Sequence, residues 1–237
     1  MRILGIESSS LVASVAIVTD QVVTAEYTVN FKKTHSQTLL PMLDEIVKMT
    51  EIDLKTVDAI AVSAGPGSFT GLRIGSATGK GLGLALKKPL IHIPTVDAMA
   101  YGLYGCEKLV CPIMDARRNQ VYTGIYDNRE GFSVIKAQCP MDVGELIEEL
   151  NFMGRPVVFL GDGVPVYEEQ IKENMKVPFD FAPAHLNRQR GASVAALGCS
   201  YYQQGKIETA AEHEPDYLRK SQAEREREAG ILRKGSL

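Results

Sequence analysis

The sequence predicts an α/β protein built as two tandem halves, and three observations carry that expectation. An apolar run, Val57-Asp-Ala-Ile-Ala-Val62, leads through a glycine-rich turn, Ser63 to Gly75, into a helical pattern. The order strand, hairpin, helix, strand occurs once between Ile3 and Ile93 and again from Leu109 to Gly161. The chain has 237 residues, 45% hydrophobic and 23% charged, enough to bury a sizeable core in one large or two small domains.

The elements follow from local pattern. Ile3 to Ile6, Ala13 to Val18 and Val22 to Val29 read as three strands, with Glu7-Ser-Ser-Ser10 at the tip of the first hairpin. Leu39, Leu40, Leu43, Ile46 and Val47 make Leu39 to Met49 an amphipathic helix. Thr34 and Gln37 fit a capping box at its start, but Pro41 lies too deep for a first turn, which makes Thr38 the alternative cap. The Val57 strand, the glycine turn, a helix starting near Gly71 and a short strand, Pro89 to Ile93, complete the first half.

In the second half Leu109 to Met114, Val121 to Tyr126 and Gly131 to Lys136 read as strands. Met141 to Leu150 follows as a helix and Pro156 to Gly161 as a buried strand. A small-residue helix begins at Gly191, with Ser193 near its start. The expected organisation is a first lobe over 1–107, a second over 108–218 and a charged tail over 219–237. The helix near 191–205 is placed to pack back on the first lobe.

Several functions are excluded by residue type. No run approaches the roughly 18 apolar residues of a membrane span, and Glu7 interrupts the N-terminal strand, so neither a membrane segment nor a signal peptide is expected. Cys106, Cys111, Cys139 and Cys199 lack C-x-x-C spacing and read as reduced, buried thiols of a cytoplasmic protein. A net charge of -3 argues against autonomous nucleic-acid binding, though not against work within a complex. His35, His92, His185 and His213 form no pair at metal-ligand spacing, so no metal site is expected.

The glycine turn is not a Walker loop: Gly81 follows Gly79-Lys80 where Ser or Thr would stand, and Gly75 is one residue too close. Gly71, Gly75, Gly79 and Gly83 instead line one face of the following helix. Each lowers helix stability by roughly 1 kcal/mol against alanine, so close approach by a neighbour must compensate, either the protein's own sheet or a second subunit. Ser8, Ser9, Asp115, Gly161 and Gly163 sit at turns where α/β proteins bind phosphates, and are the candidate lining of a nucleotide cleft. Ordinary turn serines and an ion pair of Asp115 with Arg117 or Arg118 are the competing readings.

These residues together resemble the bacterial TsaB (YeaZ) family. The likeness runs through Leu4-Gly-Ile-Glu-Ser-Ser9 with Ser14-Val-Ala16, His35-Ser36 with Leu39-Leu-Pro41, and the Ser63 to Gly75 turn. It continues in Met114-Asp-Ala-Arg117 with Val121-Tyr122, Gly161-Asp-Gly163, and Pro215-Asp-Tyr-Leu-Arg219. The resemblance implies the two-lobed actin-like ATPase fold, which suits the tandem halves. It implies a role in forming threonylcarbamoyladenosine beside the tRNA anticodon, with TsaD and TsaE as partners and self-association when alone. The chain would reach tRNA only through that complex.

In the catalytic relative TsaD, an H-x-x-x-H pair holds a metal just after the corresponding strand. Laid on this chain, that pattern puts Thr95 and Met99 where the ligands would stand, with His92 outside both positions. The resemblance therefore implies a non-catalytic scaffold with no required cofactor and weak ATP or ADP binding at most. It places the pairing surface on the helices of the first lobe, here His35, Leu39, Leu43, Gly71, Arg73, Gly75 and Gly79. An actin-like-fold phosphotransferase or glycoprotease-like hydrolase, or a self-associating dimer with another role, are the alternatives.

Overall fold

The computed structural model describes residues 1–218; the charged tail read over 219–237 lies outside the described residues. Strands β1 (Arg2–Glu7), β2 (Val12–Thr19) and β3 (Val22–Asn30) form an antiparallel meander. Helix α1 (His35–Thr50) leads to β4 (Ala59–Gly65), α2 (Phe69–Leu86) and β5 (Leu90–Pro94). β4 pairs parallel to β1 with Leu4 opposite Ile60, and β5 pairs parallel to β4, so the sheet order is β3-β2-β1-β4-β5. Helix α3 (Thr95–Tyr101) ends this half.

The second half repeats the plan. β6 (Leu109–Asp115), β7 (Gln120–Asp127) and β8 (Ser133–Asp142) form the meander. α4 (Val143–Met153), β9 (Val157–Leu160), α5 (Val164–Asn174), β10 (Phe179–Phe181) and α6 (Gly191–Gln203) follow. The order β8-β7-β6-β9-β10 matches the first sheet strand for strand.

Each sheet is covered on both faces. Leu39, Met42, Leu43 and Ile46 of α1 pack with Leu4, Ile6, Val15 and Ile60 on one face of the first sheet. Val194, Ala195, Leu197 and Cys199 of α6 cover its other face against Ile3, Ala59, Ala61 and Ile91. In the second sheet α4 and α5 cover one face through Leu146, Ile147, Tyr167 and Ile171. Val96, Met99 and Ala100 of α3 cover the other, against Val110, Tyr126 and Leu160. The last helix of each half thus lies on the opposite half's sheet.

Polar groups secure that exchange. The first lobe accepts the N-terminus of α6: Gly191 N donates to Ser14 Oγ (2.8 Å) and Ala192 N to Glu26 Oε1 (3.0 Å), while Glu26 also pairs with Arg190. A carboxylate at a helix N-terminus contributes about 1 kcal/mol. Buried Asp97 on α3 accepts from Tyr126 Oη (2.6 Å) on β7 and Tyr201 Oη (3.3 Å) on α6, joining both halves. Burial raises the Asp97 pKa, and these hydrogen bonds oppose the rise.

Three elements escaped the sequence reading. α3 spans only seven residues directly after β5, β10 only three, and α5 presents few apolar residues beyond Val164, Tyr167 and Ile171. α1 starts at His35 with Thr34 as cap, so Thr38 is not the cap; Pro41 sits inside the helix on its exposed side. The four cysteines are free; Cys111 and Cys199 are buried, whereas Cys106 and Cys139 are half-buried. Among the described residues no helix is long and apolar enough to cross a membrane.

Candidate functional site

The glycine turn meets the first hairpin in a tight joint. Ser68 caps α2, its Oγ accepting from Gly71 N (3.3 Å), and Ser68 N donates to Ser9 O (2.6 Å). A β-carbon at Gly67 would overlap Ser9 O, and one at Gly71 would overlap Ser8 O. One at Gly75 would strike Ser8 Oγ, and one at Gly79 would lie 2.6 Å from Val62 Cγ2. The ridge therefore packs on the protein's own hairpin and sheet. This corrects the expectation that Gly71, Gly75 and Gly79 face a partner: all three are buried within the lobe.

Ser8 and Ser9 are buried in this joint. Ser8 Oγ donates to Gly71 O (2.9 Å), and Ser9 donates to Glu7 Oε1 through both N and Oγ (2.6 Å each). The donors expected to cradle a phosphate are engaged inside the protein. Glu7 is itself buried, and its Oε2 has no hydrogen-bond partner among the described residues. Burial raises its pKa against the pull of the Ser9 bonds. Nearby, the Ser63 hydroxyl pairs with Thr95 Oγ1 (2.8 Å). A buried carboxyl with closed-off donors does not fit a phosphate group, so the first-lobe half of the expected nucleotide cleft, Ser8 and Ser9, is corrected to a packing joint.

The second-lobe residues of that expectation lie together in space. Gly163 N donates to Ile113 O (3.0 Å), and Asp115 N donates to Asp162 Oδ1 (3.3 Å). Gly161 adopts φ +112°, a conformation that favours glycine, and a β-carbon there would overlap Ile113 O. Asp115 Oδ1 accepts from Arg117 N (2.8 Å) and Tyr167 Oη (3.1 Å). Burial and that contact push the Tyr167 pKa up to about 12, while burial raises Asp162. Arg188 Nη1 reaches Gly161 O (3.0 Å), a member of the cluster that the sequence reading missed because it lies 27 residues along the chain. Asp115, Gly161 and Gly163 thus share one cluster, and Ser8 and Ser9 belong to another.

The first-lobe helices divide by face. Leu39 and Leu43, expected at an interface, are buried in the core because they point at the sheet. His35 is half-buried with Nε2 3.1 Å from Val12 O. Arg73 is exposed and stacks its guanidinium 4.1 Å over the Phe69 ring. With Arg73, the outward side of α2 carries Ala77, Gly81 and Leu84, the last 71% exposed; that of α1 carries Leu40 and Pro41. A β-carbon at Gly81 would meet open space.

Thr95 is fully buried, and Met99 is packed in the core beneath the second sheet, so neither position offers a metal ligand. Elsewhere, the fold gathers His92, Glu208 and His213, which local spacing could not reveal.

A duplicated sheet with exchanged helices gives the chain the two-lobed α/β fold called actin-like. A solved YeaZ structure from Pseudomonas aeruginosa shares this fold with a TM-score of 0.74 and 24% identity, over 92% of this chain and 99% of that one. An ethanolamine utilization protein EutJ from Carboxydothermus hydrogenoformans matches with a TM-score of 0.50 at 11% identity, over 83% of this chain and 89% of that one. The family model for TsaD, tRNA N6-adenosine threonylcarbamoyltransferase, matches residues 23–227. The tRNA threonylcarbamoyladenosine biosynthesis protein TsaB of Bacillus subtilis is 32% identical over 228 residues, and that of Escherichia coli 30% over 234. Each alignment covers 94% of this chain and 96% of the relative. The chain belongs to the TsaB (YeaZ) family.

Proposed function

We propose that this chain is a non-catalytic scaffold subunit in the formation of threonylcarbamoyladenosine beside the tRNA anticodon, pairing with TsaD and TsaE. The observation that carries the reading is the pair Thr95 and Met99. Both stand where the resemblance puts a metalloenzyme's ligands, and both are sealed in the core. The closed joint around Ser8, Ser9 and Glu7 supports it, because a phosphotransferase needs open donors there. On this reading ATP or ADP binding is weak or absent, hydrolysis is negligible, the protein works in the cytoplasm, and tRNA is reached only through the complex.

We place the pairing surface on the outward faces of α1 and α2, around Leu40, Arg73, Ala77, Gly81 and Leu84, in place of the buried ridge. Ala77 and Gly81 lie one turn apart and are small, which lets a partner helix approach closely. The same face would serve self-association when TsaD is absent. Threonylcarbamoyl transfer to tRNA, assayed with this chain, TsaD and TsaE and with each omitted in turn, tests the role. Loss of product without this chain is expected, and full activity without it overturns the reading. Gly81→Arg should abolish co-elution with TsaD while leaving the thermal unfolding of the isolated chain unchanged.

A further inference from the structure

His92 lies on β5, whereas Glu208 and His213 lie on the segment that follows α6. That segment is bound along the edge of the first sheet: Leu90 and Glu208 exchange two backbone hydrogen bonds of 2.9 Å, and Asp216 N donates to Ala64 O (2.7 Å). The crossing brings two imidazoles and a carboxylate together, each offering one ligand atom within 4.8 Å of the others. His213 is fully buried. Its Nδ1 contacts Glu208 Oε1 (2.5 Å), and its Nε2 has no hydrogen-bond partner among the described residues.

We propose that His92, Glu208 and His213 form a binding site for a zinc-class divalent metal that fastens the segment after α6 to β5. The Nε2 of this fully buried ring is left free of protein hydrogen bonds among the described residues and is available to a metal. Two nitrogens and an oxygen suit Zn2+ rather than Mg2+ or Ca2+. Asp216, whose Oδ2 is 3.0 Å from His92 Nε2, is a further oxygen donor on the same side.

Lys80 of α2 acts on His213 as an opposing charge, and the carboxylates Glu208 and Asp216 face the two rings. Tetrahedral bonds of about 2.1 Å need ligand atoms about 3.4 Å apart, so on loading the wider spacings close and the 2.5 Å Glu208–His213 contact gives way to metal bonds. His92, Glu208 and Asp216 are partly exposed and leave a route for the ion. This site is separate from Thr95 and Met99, and it departs from the expectation of a metal-free chain.

The test uses the full-length, tag-free protein stripped with chelator. One equivalent of Co2+ should give visible d–d bands of tetrahedral intensity, displaced by Zn2+. Zn2+ at about a hundredfold excess over Kd should raise the unfolding temperature by about 5 °C or more. His213→Ala removes a buried ring and risks unfolding, so the deciding variants are His92→Gln and Glu208→Gln at the rim of the site. Both should stay folded, lose the Co2+ bands and lose the Zn2+-dependent shift. Absence of both signals in the unaltered protein overturns the proposal, as does their persistence in His92→Gln. Neither readout depends on TsaD pairing or transfer activity.

Discussion

The two lobes run through the same order of elements yet fasten the corresponding helix by opposite means. In the first, α2 drops onto its sheet because four positions, Gly71, Gly75, Gly79 and Gly83, carry no side chain. In the second, α5 stands on a large one, with Tyr167 buried and its hydroxyl on Asp115 and on Gln120 O (3.3 Å). A shared topology constrains where a helix runs, and it leaves open whether absence or presence of bulk holds it there. Close seating of α2 also leaves its opposite face small and open at Ala77 and Gly81, whereas α5 shows Val166 and charged residues to solvent.

Substitutions of opposite kind should therefore damage the two lobes. Tyr167→Ala should produce the largest loss, about 3 kcal/mol, because it leaves a cavity beneath α5 and deprives Asp115 of a donor. Hydrogen exchange should quicken in β6 and β9 while β1 and β4 stay protected; uniform loosening of both sheets would break the contrast. Gly75→Leu is the converse. Leucine improves intrinsic helix propensity by roughly 1 kcal/mol, but forcing a side chain against Ser8 should cost up to about 3 kcal/mol. The net expectation is about 2 kcal/mol of destabilisation by chemical denaturation, with exchange rising in β1 and β4.

A third substitution separates the faces of one helix. Gly81→Ala places its methyl in open space and should stabilise the chain by about 1 kcal/mol in the same denaturation experiment. A loss of stability there would mean that α2 is seated differently from the geometry around Gly75. The smallest effect concerns Glu7, which has no buried counterpart at the tip of the second hairpin, where Asp115 is half-buried. Its raised pKa means that the folded state holds the proton more tightly than the unfolded chain. That contribution is fully present below the ordinary glutamate range and is lost as pH rises through the folded value. Glu7→Gln should flatten this decline in a pH series of unfolding midpoints, and an unchanged slope would remove Glu7 as its source.

How much was legible depends on the distance over which the determining contact acts. The meanders, α1, α2 and α4 announce themselves by local periodicity, as do the glycine turn and the Gly161-Asp-Gly163 turn, because side chains two to four residues apart share a face. The ridge itself was legible, but its direction was not. Period alone places four glycines on one stripe without saying whether that stripe meets β1 and β4 or another subunit. α3 and α5 went unread because seven residues, or an eleven-residue helix with only Tyr167 and Ile171 buried, give too little pattern.

By itself, then, the sequence determined the α/β class, the tandem halves, the positions of the turns and, through motif likeness along nearly the whole chain, the family. Local sterics and hydrophobic period act within a few residues, and that information is written in linear order. Only the tertiary structure decided which groups are available for function. It closed Ser8, Ser9 and Glu7 into a joint, turned Leu39, Leu43 and the glycine ridge inward, and drew Arg188 to Gly161 and His213 towards His92. Such contacts join residues 27 to more than a hundred positions apart, and their existence depends on how two sheets and two exchanged helices fill one another's surfaces, which no local pattern encodes.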